Sequence, residues 1–282
     1  MINLDEEKLD TIKRGFHLPP KPDILSELAA ELEKEDVDIG DVSDILSRDI
    51  SLSALLLKTI NSPIFGLRRS ISDIRQATMF LGLNQLNQIV TVALLKKNFN
   101  GKACISLERF WDESLEVAMA CAWIGENYKL KVPTDELYTF GLFHNIGISA
   151  MALRYPDYVE VLKEVNNSYR CNVTKLERDR YQTDHAIIGY YIATSWNLPK
   201  DACQVILNHH EIDFLDHCRD EKSRLVYAIL KCSESAVVYS RRQQFSPDWE
   251  LVAEGCLAEL GLASQDFEDL VEDFAEHFYD HA

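Results

Sequence analysis

From Leu107 to Tyr128, the apolar residues Phe110, Trp111, Leu115, Ala118, Met119, Ala122 and Trp123 recur mostly at three- and four-residue spacing. That period lays them in one wide stripe along a helix of roughly six turns. Shorter stripes with the same spacing run through most of the chain, each set off by a capping residue, a proline or a glycine. A stripe of this kind is buried only by packing on another, so the expected fold class is all-α. With 11 Gly and 8 Pro in 282 residues and 46 % hydrophobic content, the chain has the composition of a globular protein with a substantial core.

Taken in order, Leu18-Pro19-Pro20-Lys21-Pro22 makes an extended entry, because stacked prolines cannot donate backbone hydrogen bonds. A helix follows from about Asp23, with Ile24, Leu25, Leu28 and Leu32 on one face. The next spans Asp41 to Ser47, and Asp49 is placed to cap another from Ser51 to Ile60, with Leu52, Leu55, Leu56 and Ile60 inward. Asn61-Ser62-Pro63-Ile64-Phe65-Gly66 breaks it. Ser72 is the expected cap of a helix through Leu81; Gly82 interrupts, and Leu86, Ile89, Val90, Ala93 and Leu94 continue in a further helix. A polar link from Asn98 to Ser106 separates this bundle from the long helix. Beyond it, Pro133 and Thr134 open a helix with Leu137, Phe140, Leu142 and Phe143 facing a core, which Gly147 is expected to end or bend just after His144-Asn145. Met151 to Asn166 is helical with a break at Pro156. A charged segment, Lys175 to Arg180, leads to Thr183, the expected cap of a helix that begins Asp184-His185 and runs to Trp196. Pro199 opens a helix ending at His209-His210-Glu211, and Arg224 to Tyr239 carries a closing stripe.

The formal charge of −17 is unevenly spread: from Gln243 to Ala282 there are eleven Asp and Glu and no Lys or Arg, leaving −6 for everything before. So acidic a surface repels a phosphate backbone, and Arg68, Arg69 and Arg75 make only a small local cluster, so no nucleic-acid partner is expected. No window holds the ~18 uncharged apolar residues of a membrane span, and Met1 to Asp10 is acidic without an apolar stretch; the expected location is cytoplasmic. Seven cysteines without CxxC spacing fit free, mostly core thiols. Gly-rich phosphate loops, Gly-x-Ser-x-Gly elbows and redox CxxC pairs are missing.

The order Arg48-Asp49, Leu55-Leu56 through Asn61-Ser62, Phe65-Gly66, then Ala77 through Leu81-Gly82 resembles the signature of the HDOD domain, a bacterial all-helical signalling module whose second half is similar to HD phosphohydrolases. His185 to Gly189 followed by Trp196-Asn197-Leu198-Pro199 resembles the HD-like half, and the likeness runs from about Leu18 to about Arg242. It implies two packed helical subdomains. The expected division is a leader at 1–17, an HDOD-specific N-terminal bundle at 18–106, an HD-like bundle at 107–242 and an acidic amphipathic extension at 243–282.

The resemblance also implies where a metal would lie. Asn145 stands where HD phosphohydrolases have the Asp that follows the ligand His, Glu113 stands where relatives with the full ligand set have His, and the closing Asp matches Cys232-Ser233, with Glu234 next. His144, Asn145, His185, His209, His210 and Glu113 are therefore the expected members of a vestigial or weak metal site, with no catalytic residue. A neutral amide ligates hard metals poorly, and a hydrolytic centre needs anionic carboxylates beside its imidazoles. No cofactor is expected beyond a weakly held divalent ion (Mn, Fe, Zn or Mg). The function implied is non-catalytic signalling, through ligand sensing or contact with a protein partner in a signalling pathway. The other reading is a metal-dependent phosphohydrolase acting on a nucleotide or cyclic dinucleotide, with His144, His185 and His210 as ligands. In the acidic extension, Phe267, Leu270, Val271, Phe274 and Phe278 form a helical stripe expected to dock on the HD-like half.

Overall fold

The computed structural model describes residues 16, 21–34, 36–61, 70–128, 130–167, 172–245 and 248–278, and among these every regular element is a helix. The chain divides into two compact units, Pro19–Asn100 and a larger one containing Gly101–Ala282 and Phe16.

In the smaller unit, α1 (Asp23–Leu32), α2 (Ile39–Ser47), α3 (Ile50–Ile60), α4 (Ile74–Leu81) and α5 (Leu83–Asn98) bury Leu25, Leu28, Val42, Leu46, Leu52, Leu56, Ile60, Leu86 and Val90. Capping carboxylates set the boundaries. Asp38 accepts from Gly40 N at 2.6 Å, which starts α2 two residues before Asp41. Asp49 accepts from Leu52 N at 3.0 Å, as its position before α3 implied. At α4 the cap is Asp73, accepting from Gln76 N at 2.8 Å, and not Ser72 one residue earlier. Leu55 lies on the outer side of α3, 36 % exposed, so the core stripe there is narrower than the spacing implied. Asn61 ties the end of α3 to Ile71, accepting from its N–H and donating to its C=O, each at 2.8 Å. The break at Ser62–Gly66 and the pair Arg68, Arg69 lie outside the described residues.

The larger unit is built on α6 (Leu107–Asn127), against which α7 (Thr134–Phe143) and α14 (Glu221–Arg242) pack. Gly141 makes the α6–α7 approach: a Cβ there would stand 2.8 Å from Ala118 Cα. α8 (Ile146–Arg154) and α9 (Tyr158–Asn167) follow, with the expected break around Pro156, then α10 (Val173–Tyr181), α11 (His185–Ser195), α12 (Lys200–Asn208) and the short α13 (Phe214–His217). The charged run Lys175–Arg180 is thus part of a helix, started by the Asn172 side chain accepting from Lys175 N at 2.9 Å. Asp184 caps α11 through Ile187 N at 2.8 Å, while the Thr183 hydroxyl is buried with no hydrogen-bond partner among the described residues. Gly147 neither ends nor bends α7, which stops at Phe143; it sits in the first turn of α8, where a Cβ would come within 1.9 Å of His185 O.

The acidic segment supplies α15 (Trp249–Leu260) and α16 (Ser264–Phe278), both packed on α14 or its neighbours. Phe267, Leu270, Val271 and Phe274 are buried, and Phe274 meets Trp123 of α6 edge-on at 5.9 Å between centroids. Glu268, Asp269, Glu272, Asp273 and Glu276 point outward. The six described cysteines are unpaired; Cys171 lies outside the described residues. No single described helix is long and apolar enough to cross a membrane.

Two outcomes follow from this packing. Phe274→Ala should lower unfolding stability by about 3–5 kcal/mol, whereas Glu272→Gln should change it by no more than about 0.5 kcal/mol, both read by urea denaturation. In the smaller unit, a hydrogen bond from Lys97 and one from Leu52 N hold the Asp49 carboxyl below its usual pKa. A depressed carboxylate stabilises above its unfolded pKa and loses that contribution as pH falls through the folded value. Asp49→Ala should therefore cost about 1 kcal/mol at neutral pH, and the gap to wild type should narrow below the folded-state pKa.

Candidate functional site

Four histidines gather where α7, α11 and α12 end or begin. In each case Nδ1 is directed at an oxygen. His144 Nδ1 lies 2.5 Å from Gly141 O and His209 Nδ1 2.7 Å from Ile206 O, each a carbonyl that can only accept. His185 Nδ1 lies 2.8 Å from the Glu177 carboxylate, and His210 Nδ1 faces Asp248 at 3.6 Å. With its proton on Nδ1, as the facing carbonyl requires, His209 keeps a lone pair on Nε2, the state in which imidazole binds a metal. Ligating atoms of His185, His209 and His210 lie within 4.8 Å of one another.

Glu177 is fully buried and is consumed by this arrangement: it also accepts from His185 N at 3.0 Å and from the Tyr158 hydroxyl. Burial opposes its charge, but His185 and Tyr158 hold its pKa below the usual carboxylate value. His185 is likewise opposed by burial, yet Glu177 raises its pKa. Burial and neighbouring cations push His209 and His210 well below the ordinary histidine value, so these two rings are neutral. His185 Nε2 stands 2.9 Å from His210 Nε2, too close for two facing lone pairs. A proton on His185 donating to His210, or a shared cation, resolves that contact.

Asn145 and Glu234 decide how much anionic charge the cluster has. Asn145 Oδ1 lies 3.2 Å from His209 Nε2; with the ring proton on Nδ1, a turn of the neutral amide brings an N–H to that nitrogen, which a carboxylate could not offer. Glu234 lies on α14, 3.4 Å from His144 Nε2, and is the carboxylate nearest the place of the expected closing ligand; Ser233 beside it is fully buried. Glu234 is not free. Lys231, one turn earlier and 5 % exposed, donates to it at 2.9 Å. Burial opposes the charge of both, but Lys231 and His144 hold the Glu234 carboxyl well below its usual range, and Glu234 raises Lys231.

His144, Asn145, His210, Lys231, Glu234 and Asp248 line a cleft of about 610 Å³, whose other wall includes Arg109, Phe110, Glu113, Val237, Arg241 and Arg242. Glu113 is on that wall rather than in the histidine cluster, accepting from Arg241 Nη1 at 2.7 Å. The donors fit one ion at His185, His209 and His210. They do not fit a two-ion centre, because the one carboxylate that faces the rings from α14 is bound to an ammonium and Asn145 is neutral.

This fold and this cluster can be set beside known proteins. Residues 18–212 match the family model of the HDOD domain. The chain belongs to the HDOD family. An uncharacterized protein of Treponema pallidum (strain Nichols) is 26 % identical to this HDOD chain over 216 residues, 75 % of the chain and 40 % of the relative. Cyclic di-GMP phosphodiesterase CdgJ of Vibrio cholerae serotype O1 is 26 % identical over 136 residues, 48 % of the chain and 30 % of CdgJ. The HDOD chain thus spans well under half the length of either curated relative. The crystal structure of an HDOD domain protein from Geobacter sulfurreducens superposes with a TM-score of 0.68 at 24 % identity, covering 98 % of this chain and 100 % of that one, which establishes a shared fold. The family match stops at residue 212, before Lys231, Glu234 and Asp248.

Of the residues singled out from sequence, His144, Asn145, His185, His209 and His210 come together, and Glu113 stands apart on the cleft wall. Sequence reasoning passed over Lys231, Glu177 and Asp248. Lys231 and Glu234 had a readable signal, an oppositely charged i,i+3 pair inside an otherwise apolar stripe. Glu177 was masked by the charges around it. Glu177→Ala should cost about 3 kcal/mol or more, since it strands the His185 ring, the His185 N–H and the Tyr158 hydroxyl in the interior; Tyr158→Phe should cost less, and chemical denaturation of the two variants checks the order.

Proposed function

We propose that this HDOD chain is a non-catalytic regulatory module in which the HD-like centre senses a ligand and the output passes through contact with a protein partner. The ion pair between buried Lys231 and half-buried Glu234 carries the reading. A hydrolytic divalent centre needs uncommitted carboxylates to hold the ion and its attacking water, and here an ammonium sits where positive charge would otherwise be recruited. Asn145 supports the same conclusion, since its amide suits hydrogen bonding to His209 better than ligation of a hard ion.

A second reading has its own supporting observation. The convergence of His185, His209 and His210, with Glu177 orienting one ring, is the donor set of a single-ion site, and one relative bears the name of a cyclic di-GMP phosphodiesterase. Under that reading the chain is a metal-dependent phosphohydrolase of a nucleotide or cyclic dinucleotide. The three histidines would hold the ion, with His144 beside them, and the ion would supply Lewis acidity.

One assay separates the two. Purified protein with added Mn, Mg, Fe or Zn should not cleave generic phosphoesters or cyclic dinucleotides, and after dialysis it should retain far less than one ion per chain. Turnover of about 1 per second or more, lost in His144→Ala, would establish the hydrolase instead.

A further inference from the structure

In a chain of net charge −17, the cleft beside the histidines is lined by four cations, Arg109, Lys231, Arg241 and Arg242, against three carboxylates, Glu113, Glu234 and Asp248. Their commitments differ. Arg241 is spent on Glu113 and Glu116, at 2.6 to 2.7 Å. Lys231 spends one of its three N–H donors on Glu234 and its Nζ stands 6.0 Å from the centroid of the Tyr227 ring; the remaining two donors have no hydrogen-bond partner among the described residues, although the side chain is 5 % exposed. The Arg109 and Arg242 side chains make no ion pair or hydrogen bond among the described residues, and both are exposed at the cleft. A buried ammonium with unspent donors is costly unless something occupies the space before it. Between these charges the walls are apolar: Phe110, Val117, Ile148, Val159, Leu162 and Val237.

We propose that this cleft is a metal-independent binding site for a small organic anion, with the acidic head on Lys231 and the body along the Phe110–Val237 wall, Arg109 and Arg242 closing on it from the rim. The site's fixed positive charge is then supplied by the protein, in the place where a metal centre would use an ion. The volume, about 610 Å³, is within the range of sites that enclose one small molecule. The inference deepens the ligand-sensing reading above and rests on it. Phosphate and carboxylate heads share the chemistry that Lys231 and arginine recognise.

Phenyl phosphate, phenylacetate and inorganic phosphate serve as probes, titrated into the 282-residue chain held in EDTA, with amide NMR shifts and melting temperature as readouts and phenol release from phenyl phosphate followed in parallel samples that carry Mn, Mg, Fe or Zn in place of EDTA. At least one aromatic acid should give saturable shifts at residues of the cleft, and inorganic phosphate should bind about tenfold more weakly for want of a body. The stronger of the two aromatic acids identifies the head group. Lys231→Met combined with Glu234→Gln removes the pair without leaving a lone buried charge and should weaken binding by about tenfold or more; Arg242→Gln, an exposed change that spares the core, should weaken it by about threefold. Absence of saturable shifts up to about 10 mM probe, binding abolished by EDTA, or affinity unchanged in both variants would overturn the proposal. Release of phenol would instead overturn the non-hydrolytic reading while leaving the binding site in place, so the two failures are distinguishable.

Discussion

The backbone of α8 lies directly on the start of α11 at Gly147, where a single added carbon would meet His185 O at 1.9 Å. No side chain stands between the two helices at that point, so the position of one fixes the other. His144 and Asn145 come immediately before α8, and His185 is the first residue of α11. The contact therefore sets the spacing between two parts of the histidine cluster before any hydrogen bond is counted. Gly141 does the same for α7 against α6. Close packing of this kind transmits a shift of one helix to the next, because interiors packed like crystals have nowhere to absorb it.

Much of the helical order was legible in sequence because three- and four-residue spacing and capping residues are local signals. Asp49 before α3, the break at Pro156 and the stripe Phe267–Phe274 are examples, and each acts within a few residues of itself. The misplacements are local too: Asp73 outcompetes Ser72 as a cap, and Asn172 turns a charged run into a helix. The site was only half legible. Its histidines are conspicuous, but what fixes their chemistry comes from elsewhere in the chain: Glu177 from α10, Lys231 and Glu234 from α14, Asp248 from the acidic segment. Of these pairings Lys231–Glu234 alone has a telling spacing, i,i+3, while Glu177 and Asp248 reach their histidines from other elements; Glu234 looked like a neighbour of a lost ligand until the turn of α14 was known.

The electrostatics follow from the same economy of charge. Two carboxylates sit at the cluster, Glu177 buried and Glu234 half-buried, and each has a dedicated counter-charge, Glu177 with His185 and Glu234 with Lys231. Removing one member of such a pair costs far more than the pair contributes, since the survivor is left in a medium that solvates it poorly. The centre is thus rigid in composition: substitutions that add or remove one charge carry a stability penalty independent of any role in binding.

The match to the family model ends at residue 212, yet α14 contributes Lys231 and Glu234, and α15 and α16 cover α14 with Trp249, Leu257 and Phe267 buried. The limit of that match and the limit of the folding unit are therefore different places. A fragment cut at the first would retain all four site histidines but lose the helix that balances them, leaving the apolar side of α6 bare to solvent. Its histidines would then bind metal on terms that the intact chain never offers, and metal content measured on such a fragment would describe the cut rather than the protein.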